Sequence, residues 1–373
     1  MPPPYSRAAV GPSRNILGKV RSGPPSPPHD RPALSYHLPT DLPFLFKVLS
    51  VAKALSIQAH PDREAAKELH ARDPKNYPDP NHKPEMTIAL TRFEALCGFR
   101  PISEIVKSLE EVPELCDLAE AECVAALRAS VRGGGEEVDT TATASQKQAL
   151  KGFFAQFIAA DRECVEAALG RLVTRLTAIN RPTTELEELC LRLNGQFPGE
   201  VGCFCVFLLN YLQLAPGEAV FLAANEPHAY LSGECIECMA LSDNVVRAGL
   251  TPKFRDVQTL VGMLTYQTYQ PSDLAMQPSK LAGRPLSLLY RPPVKEFAVA
   301  RTSMSLGDTE AILTESTSEA IILIVRGDFT LTKADGATLA LRPGSILLQD
   351  RGTTSHLSCC SQEGLVFQAF AQE

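Results

Sequence analysis

Two stretches of this chain, 127 residues apart, read as copies of one device. Residues 214 to 228, LAPGEAVFLAANEPH, lie over residues 341 to 355, LRPGSILLQDRGTTS, with Leu, Pro and Gly in register. Each copy is a turn, a short apolar strand and a loop that re-enters a sheet, so two related β-sandwich or barrel units are expected. The rest of the chain agrees with that division. Apolar strand-like runs broken by prolines occupy residues 42 to 100 and resume from 199 to the end. Between them, SEIVKSLEEVPELCDLAEAECVAALRASV and SQKQALKGFFAQFIAADRECVEAALGRLVTRLTAI space their apolar residues three and four apart, as amphipathic helices do. RGGGEEVDTTATAS between them reads as a flexible linker, and LTPKFRDVQTLVGML as a further helix. The expected architecture is mainly β, with a helical insertion.

The copies differ in chemistry. Where the first has His228, the second has Ser355, and His356 is displaced by one onto the opposite strand face. The C-terminal unit therefore reads as structural.

With 45% hydrophobic and 21% charged residues among 373, the chain has the composition of a soluble protein with a sizeable core. A net charge of −7 provides no broad basic field for nucleic acid or membrane surfaces, so an anionic ligand has to be met by a local cluster of cations. No run of 18 apolar residues occurs, and eleven cysteines without a repeating framework suit a reducing compartment. A cytoplasmic location follows as the expectation. Cys235 and Cys238 form the one C-x-x-C; with no second pair nearby they read as half-buried thiols rather than a zinc knuckle, and Cys359-Cys360 reads as packing. Residues 1 to 41 are rich in proline and small residues and are expected to be disordered.

The stretch SIQAHPD, residues 56 to 62, breaks an apolar run that otherwise reads as buried β-structure. Strand side chains alternate faces, so Ser56, Gln58 and His60 point one way while Ile57 and Ala59 point the other. Only seven histidines exist, and three lie in or beside such polar interruptions: His60, His82 in NHKPEM, and His228 in NEPHAYL. Glu85 opens the apolar strand that follows His82. Gln58, His60, Glu85 and His228 together offer two imidazoles, an amide oxygen and a carboxylate, a possible metal site with room left for substrate. Spacing alone leaves hydrogen-bonded core histidines as the alternative.

In order along the chain, PFLFKVLS, LSIQAHPD, YPDPNHKPEM, EALCGFRP, ANEPHAYL and ECMALSDNVVRAGLTPKF resemble the zinc-dependent, eukaryotic-type mannose-6-phosphate isomerases, a cupin-fold family. The resemblance covers about residues 42 to 102 and 199 to 373. It implies two cupin-like jelly-roll units: a catalytic domain from 42–102 plus 199–290, a helical insertion over 103–198, and a C-terminal jelly roll over 291–373 without a metal site. It also implies one zinc ion per chain on Gln58, His60, Glu85 and His228.

The implied reaction interconverts mannose 6-phosphate and fructose 6-phosphate through a cis-enediol, feeding nucleotide-sugar synthesis. Arg247 matches the family's active-site arginine, whose permanent charge suits an anionic oxygen. Lys253 matches a substrate-pocket position. For the proton-transferring base, Glu237 is the first choice, with Lys83 and His82 behind it. Ser56, Tyr230 and Asp243 are expected to orient sugar hydroxyls or to support the zinc ligands. The partner implied is a small sugar phosphate, and a monomer is expected.

The chain departs from the family in one region. Members carry a folded, tryptophan-bearing stretch ahead of LPFLFKVLS; here the Pro-rich tail stands in its place, and the chain has no tryptophan. That departure makes an inactive family member, with an open sheet edge and a loosened site, the alternative reading. A non-haem iron oxygenase using His60, His228 and Glu85 is a more distant rival.

Overall fold

The computed structural model describes residues 42–131, 141–313 and 318–372. The Pro-rich tail and most of the proposed linker lie outside these residues.

The alternation in SIQAHPD is borne out at once. Ile57 and Ala59 are fully buried against the helices, while Gln58 and His60 turn the other way. The long apolar run is not one buried strand, however. It forms β1 (Phe44–Val51), a turn, and the three-residue β2 (Ile57–Ala59). Among the described residues β1 pairs on one side only, so Val48 is 44% exposed and several of its neighbours are half-buried.

After α1 (Arg63–Arg72) come β3 (Glu85–Ala89) and β4 (Phe93–Phe99). The helical insertion follows as α2 (Ile102–Glu111), α3 (Ala121–Ala129), α4 (Ala144–Ala159), α5 (Arg162–Ala178) and α6 (Glu185–Gln196). Both long helical readings divide in two. Pro113 lacks a donor N–H, and it opens a tight 3₁₀ segment between α2 and α3. Capping boxes start α4 at Thr143/Gln146 and α6 at Thr184/Glu187. In α4, Leu150, Phe153, Phe154, Phe157 and Ile158 form one buried stripe, and removing any of its phenylalanines would cost about 3–5 kcal/mol.

The chain then forms a 3₁₀ segment (Val201–Phe207), β5 (Leu209–Leu214), β6 (Ala219–Leu222), β7 (His228–Ala240), β8 (Val246–Gly249), α7 (Val257–Met263), α8 (Pro271–Leu274) and β9 (Ala275–Met276). The thirteen-residue β7 is the hub of this unit. Its first part pairs with β4 and β2, its second with β1 and β3, all antiparallel. The change of partners falls at Gly233, whose φ of +104° and close approach to Arg92 (an added Cβ would lie 2.4 Å from its carbonyl oxygen) leave room only for glycine. β7 thereby serves two walls. The helices cover the outside of the β2/β4 wall, and the β1/β3/β6 wall packs on the C-terminal unit through Met86, Ile88, Ile236, Phe297, Val299 and Phe367.

The C-terminal unit holds a six-stranded sheet and a four-stranded sheet. Its strands are β10 (Ser279–Leu281), β11 (Arg284–Tyr290), β12 (Ala298–Ser305), β13 (Thr309–Leu313), β14 (Ala320–Arg326), β15 (Phe329–Lys333), β16 (Thr338–Leu341), β17 (Ile346–Gln349), β18 (Thr354–Cys359) and β19 (Glu363–Phe370). The repeat seen in the sequence is a repeat in space. β6 and β17 start and end 127 residues apart. Gly217 and Gly344 both have positive φ, and their N–H groups donate to Ala89 and Ile324 at 2.8 and 2.9 Å. Leu222 pairs with Glu85 in the first unit and Gln349 with Ala320 in the second, so Ala320 stands where the first unit has its carboxylate.

Cys235 and Cys238 are fully buried rather than half-buried, and an odd spacing puts them in different apolar clusters on the two faces of β7. All eleven cysteines are free.

Candidate metal centre

His60, Glu85 and His228 come from three separate strands or strand ends, and all three are buried to 1% exposure. One nitrogen or oxygen from each lies within 4.8 Å of the others. His60 Nε2 is 3.2 Å from Glu85 Oε2, and the two imidazole rings are 5.1 Å apart.

The other ring nitrogens decide what this cluster is for. His60 Nδ1 is 2.9 Å from the Asn244 carbonyl and His228 Nδ1 is 3.1 Å from the Glu226 carbonyl. A carbonyl only accepts, so each Nδ1 carries the proton and each Nε2 of a neutral ring presents a lone pair. Burial lowers the pKa of both rings, that of His228 to about 4, so both are neutral at pH 7. Neither Nε2 has a hydrogen-bond partner, although both are buried. Burial pushes the Glu85 carboxyl toward a higher pKa, and the nearby Lys83 charge opposes that push and favours the carboxylate. Two lone pairs and an anion thus converge in a buried site, an arrangement that is unfavourable without a cation. Two imidazole nitrogens and a carboxylate are a donor set that fits zinc.

Gln58 extends the set. It lies directly opposite His228 on one side and Arg247 on the other, so the three residues form a row across β7, β2 and β8. Cross-strand partners share a face, which puts the Arg247 backbone two strand spacings, about 10 Å, from His228. Ser56 Oγ donates to Gln58 Oε1 at 3.2 Å. Arg247 is half-buried and its guanidinium makes no hydrogen bond or ion pair among the described residues.

On the facing wall, Lys47, Glu237 and Thr87 form a second row across β1, β7 and β3. Glu237 is buried, and burial together with the Glu85 charge raises its pKa to about 8 while Lys47, 2.6 Å away, opposes the rise. The Tyr230 hydroxyl donates to Glu85 Oε1 at 2.5 Å and accepts from Thr87 Oγ1 at 2.7 Å, so it fixes the carboxylate's orientation.

The remaining sequence candidates are spread around this centre. Lys83 is half-buried and unpaired among the described residues, near enough for its charge to act on both histidines and Glu85. His82 is turned away and meets Glu296 at 2.7 Å, where Arg63 also binds. Lys253 and Asp243 are exposed, and the Asp243 N–H donates to Asp79 at 2.8 Å.

Sequence reasoning missed three supports. Lys47 was legible only as a lone lysine in an apolar strand. Asn244 holds His60 through its backbone carbonyl, and its own amide anchors the loop at Asp79 and Asn81. Asn225, with φ of 63°, joins the two ligand-bearing segments: its N–H donates to the His60 carbonyl at 2.8 Å and its side chain pairs with Asp62.

Comparison with known proteins gives concordant results. The family model described as phosphomannose isomerase type I, catalytic domain, matches residues 27–102; its helical insertion domain matches 131–209 and its C-terminal part 287–335. Mannose-6-phosphate isomerase of Aspergillus fumigatus is 45% identical over 315 residues, covering 78% of this chain and 69% of that protein. The Bos taurus protein of the same name is 44% identical over 311 residues, covering 82% and 72%. Among solved structures, a Salmonella typhimurium mannose 6-phosphate isomerase bound to fructose 6-phosphate and zinc is 31% identical with a TM-score of 0.75, covering 89% of this chain and 80% of that one.

Proposed function

The chain belongs to the mannose-6-phosphate isomerase family, type I, and from that premise we propose that its metal is held by Gln58, His60, Glu85 and His228 and that Glu237 and Arg247 carry the reaction. It is an aldose–ketose isomerase that interconverts mannose 6-phosphate and fructose 6-phosphate, and its cofactor is zinc. The observation that carries the assignment of ligands is the pair of buried, unpartnered Nε2 atoms on His60 and His228, residues whose ligand atoms cluster with the Glu85 carboxylate within 4.8 Å.

When bound there, zinc supplies Lewis acidity toward the oxygens on C1 and C2 of the open-chain sugar. The protein's own groups handle the protons and the remaining charge. Glu237 as carboxylate takes the proton from C2, and the same group, now protonated, returns it to C1; the hydroxyl proton on O2 is released as O1 gains one, so the cis-enediol closes to ketose with no net change in protons. A buried carboxyl with pKa raised to about 8 is suited to both halves of that exchange. Lys47 beside it favours the charged form from which abstraction starts. Arg247 meets the negative charge that develops on the enediol oxygens, a role supported by its unpaired, half-buried guanidinium in the row with Gln58. Lys83 adds a second cation near the centre, and Lys253 is assigned to the phosphate at the mouth. Tyr230 and Ser56 orient Glu85 and Gln58. Asp243 is assigned to the sugar hydroxyls at the rim.

A monomer is proposed, and eleven free thiols support a cytoplasmic location. The test is isomerisation of mannose 6-phosphate by the zinc-loaded chain, beside Gln58→Ala and His60→Ala. Activity that both substitutions remove is expected. Folded, zinc-loaded protein without activity, or activity indifferent to both substitutions, would refute the assignment.

A further inference from the structure

Arg247 sits on β8, only four residues long and paired, among the described residues, with β2 alone. A strand so short has little of its own to fix its position to within an ångström. Its other side rests on Glu200, which lies within residues 131–209 that match the family's helical insertion domain and caps the 3₁₀ segment Val201–Phe207. Glu200 Oε2 accepts from the N–H of Gly202 at 2.8 Å and from the N–H of Leu250 at 2.6 Å. Its Oε1 lies 3.7 Å from Arg255, and that guanidinium donates to the Ala248 carbonyl at 3.1 Å.

The backbones beneath this carboxylate touch. A Cβ added to Gly249 would lie 2.8 Å from the Gly202 Cα, and one added to Gly202 would lie 2.7 Å from the Leu250 nitrogen. Leu250 itself has φ of 53°, a left-handed conformation that a leucine holds only when its surroundings impose it. Glu200 and Arg255 therefore grip Ala248 and Leu250, the residues immediately beyond Arg247 and at the end of the strand.

We infer that Glu200 is a positioning residue for Arg247, and that through it the helical insertion sets how the guanidinium meets the substrate. The inference rests on the role given to Arg247 above. A purely structural cap would lower stability when removed but leave the rate per folded molecule unchanged. A positioning residue lowers kcat through Arg247 and through nothing else.

The test is a double-mutant cycle on the zinc-loaded full chain, with kcat and KM for mannose 6-phosphate, bound zinc and melting temperature measured for each variant. Glu200→Ala is expected to lower kcat about 10- to 100-fold with zinc content unchanged. Glu200→Gln, whose amide oxygen still accepts both backbone N–H groups, restores most of the rate. In an Arg247→Ala background, Glu200→Ala has no further effect on kcat, because the group it positions is gone. Should Glu200→Ala fail to fold, Arg255→Met frees the Ala248 carbonyl while leaving both Glu200 backbone bonds, and a loss of about 3- to 10-fold in kcat that vanishes in the Arg247→Ala background is expected. Losses that multiply with Arg247→Ala, or an unchanged kcat, overturn the inference. An Arg247→Ala chain that keeps zinc and full activity refutes the underlying reading, and the inference falls with it.

Discussion

The two sandwiches bury polar clusters of opposite character. In the second, Arg284 on β11 donates to Gln368 at 2.8 Å and to Thr302 at 3.2 Å, and lies 3.8 Å from Glu310 on β13. Glu310 also accepts from Ser287 at 2.6 Å and from the Leu286 N–H at 3.1 Å, and Gln368 donates onward to Gln349 at 3.0 Å. This network joins the two sheets, and its charged groups face one another. In the first, the Nε2 atoms of His60 and His228 have no hydrogen-bond partner, and the cluster they form with the Glu85 carboxylate brings its ligand atoms within 4.8 Å of one another. Both clusters are buried, so burial alone does not separate a structural group from a functional one. Whether the lone pairs and protons match does.

That contrast predicts different failures. The largest effect is expected from His60→Ala: loss of zinc and a fall in isomerase rate on the order of 1,000-fold or more, with little loss of stability in the metal-free chain, since one of the converging lone pairs is removed. Zinc stoichiometry, rate and thermal unfolding check it together. A strongly destabilised metal-free His60→Ala chain would mean that the first cluster is structural as well. Arg284→Met should do the reverse, costing about 3–5 kcal/mol by leaving the Glu310 carboxylate buried without its counter-charge, while zinc content and kcat per folded molecule stay at the parent's values. Adding Glu310→Leu should recover much of that loss in denaturant titrations. A drop in kcat without a drop in stability would show that the second unit acts on the chemistry.

Smaller effects separate the ligands from their supports. Tyr230→Phe leaves Glu85 Oε1 without its donor and is expected to weaken zinc about 10- to 100-fold in a competition titration. An unchanged affinity would relegate the tyrosine to packing. At neutral pH the least is expected from protons. The His228 ring takes up its second proton only below about pH 4 in the fold but near 6.5 when unfolded. Between those values the unfolded chain binds more protons, so the metal-free protein loses stability as pH falls from 6.5 toward 4. His228→Gln should flatten that part of the curve of melting temperature against pH, and Ser287→Ala should leave its shape alone.

Much of the site was legible because β-structure has a period of two. His60 and Gln58 stood out as polar residues on alternate positions of an apolar run, and the repeat at 127 residues exposed what the second unit lacks. The supports were not legible. Asn244 acts on His60 through a backbone carbonyl, which leaves no side-chain signal, and Glu296 reaches His82 across 214 residues. Lys47 looked like an ordinary strand lysine until β7 brought Glu237 opposite it. The first helical run divided at Pro113, a break legible in the residues, whereas the second divided at Ala160–Asp161 with no side-chain cap to announce it. The burial of β1 was overestimated because apolar residues do not report how many neighbours a strand has.

The central claim is that the unpartnered atoms of the first cluster exist to hold zinc. X-ray absorption fine structure at the zinc edge of the loaded chain tests it most directly. One zinc per chain with only nitrogen and oxygen neighbours at about 2.0–2.2 Å, and imidazole scattering that is lost in His60→Ala, is the result expected. Sulfur neighbours at about 2.3 Å would put the metal on some of the eleven thiols and contradict the claim.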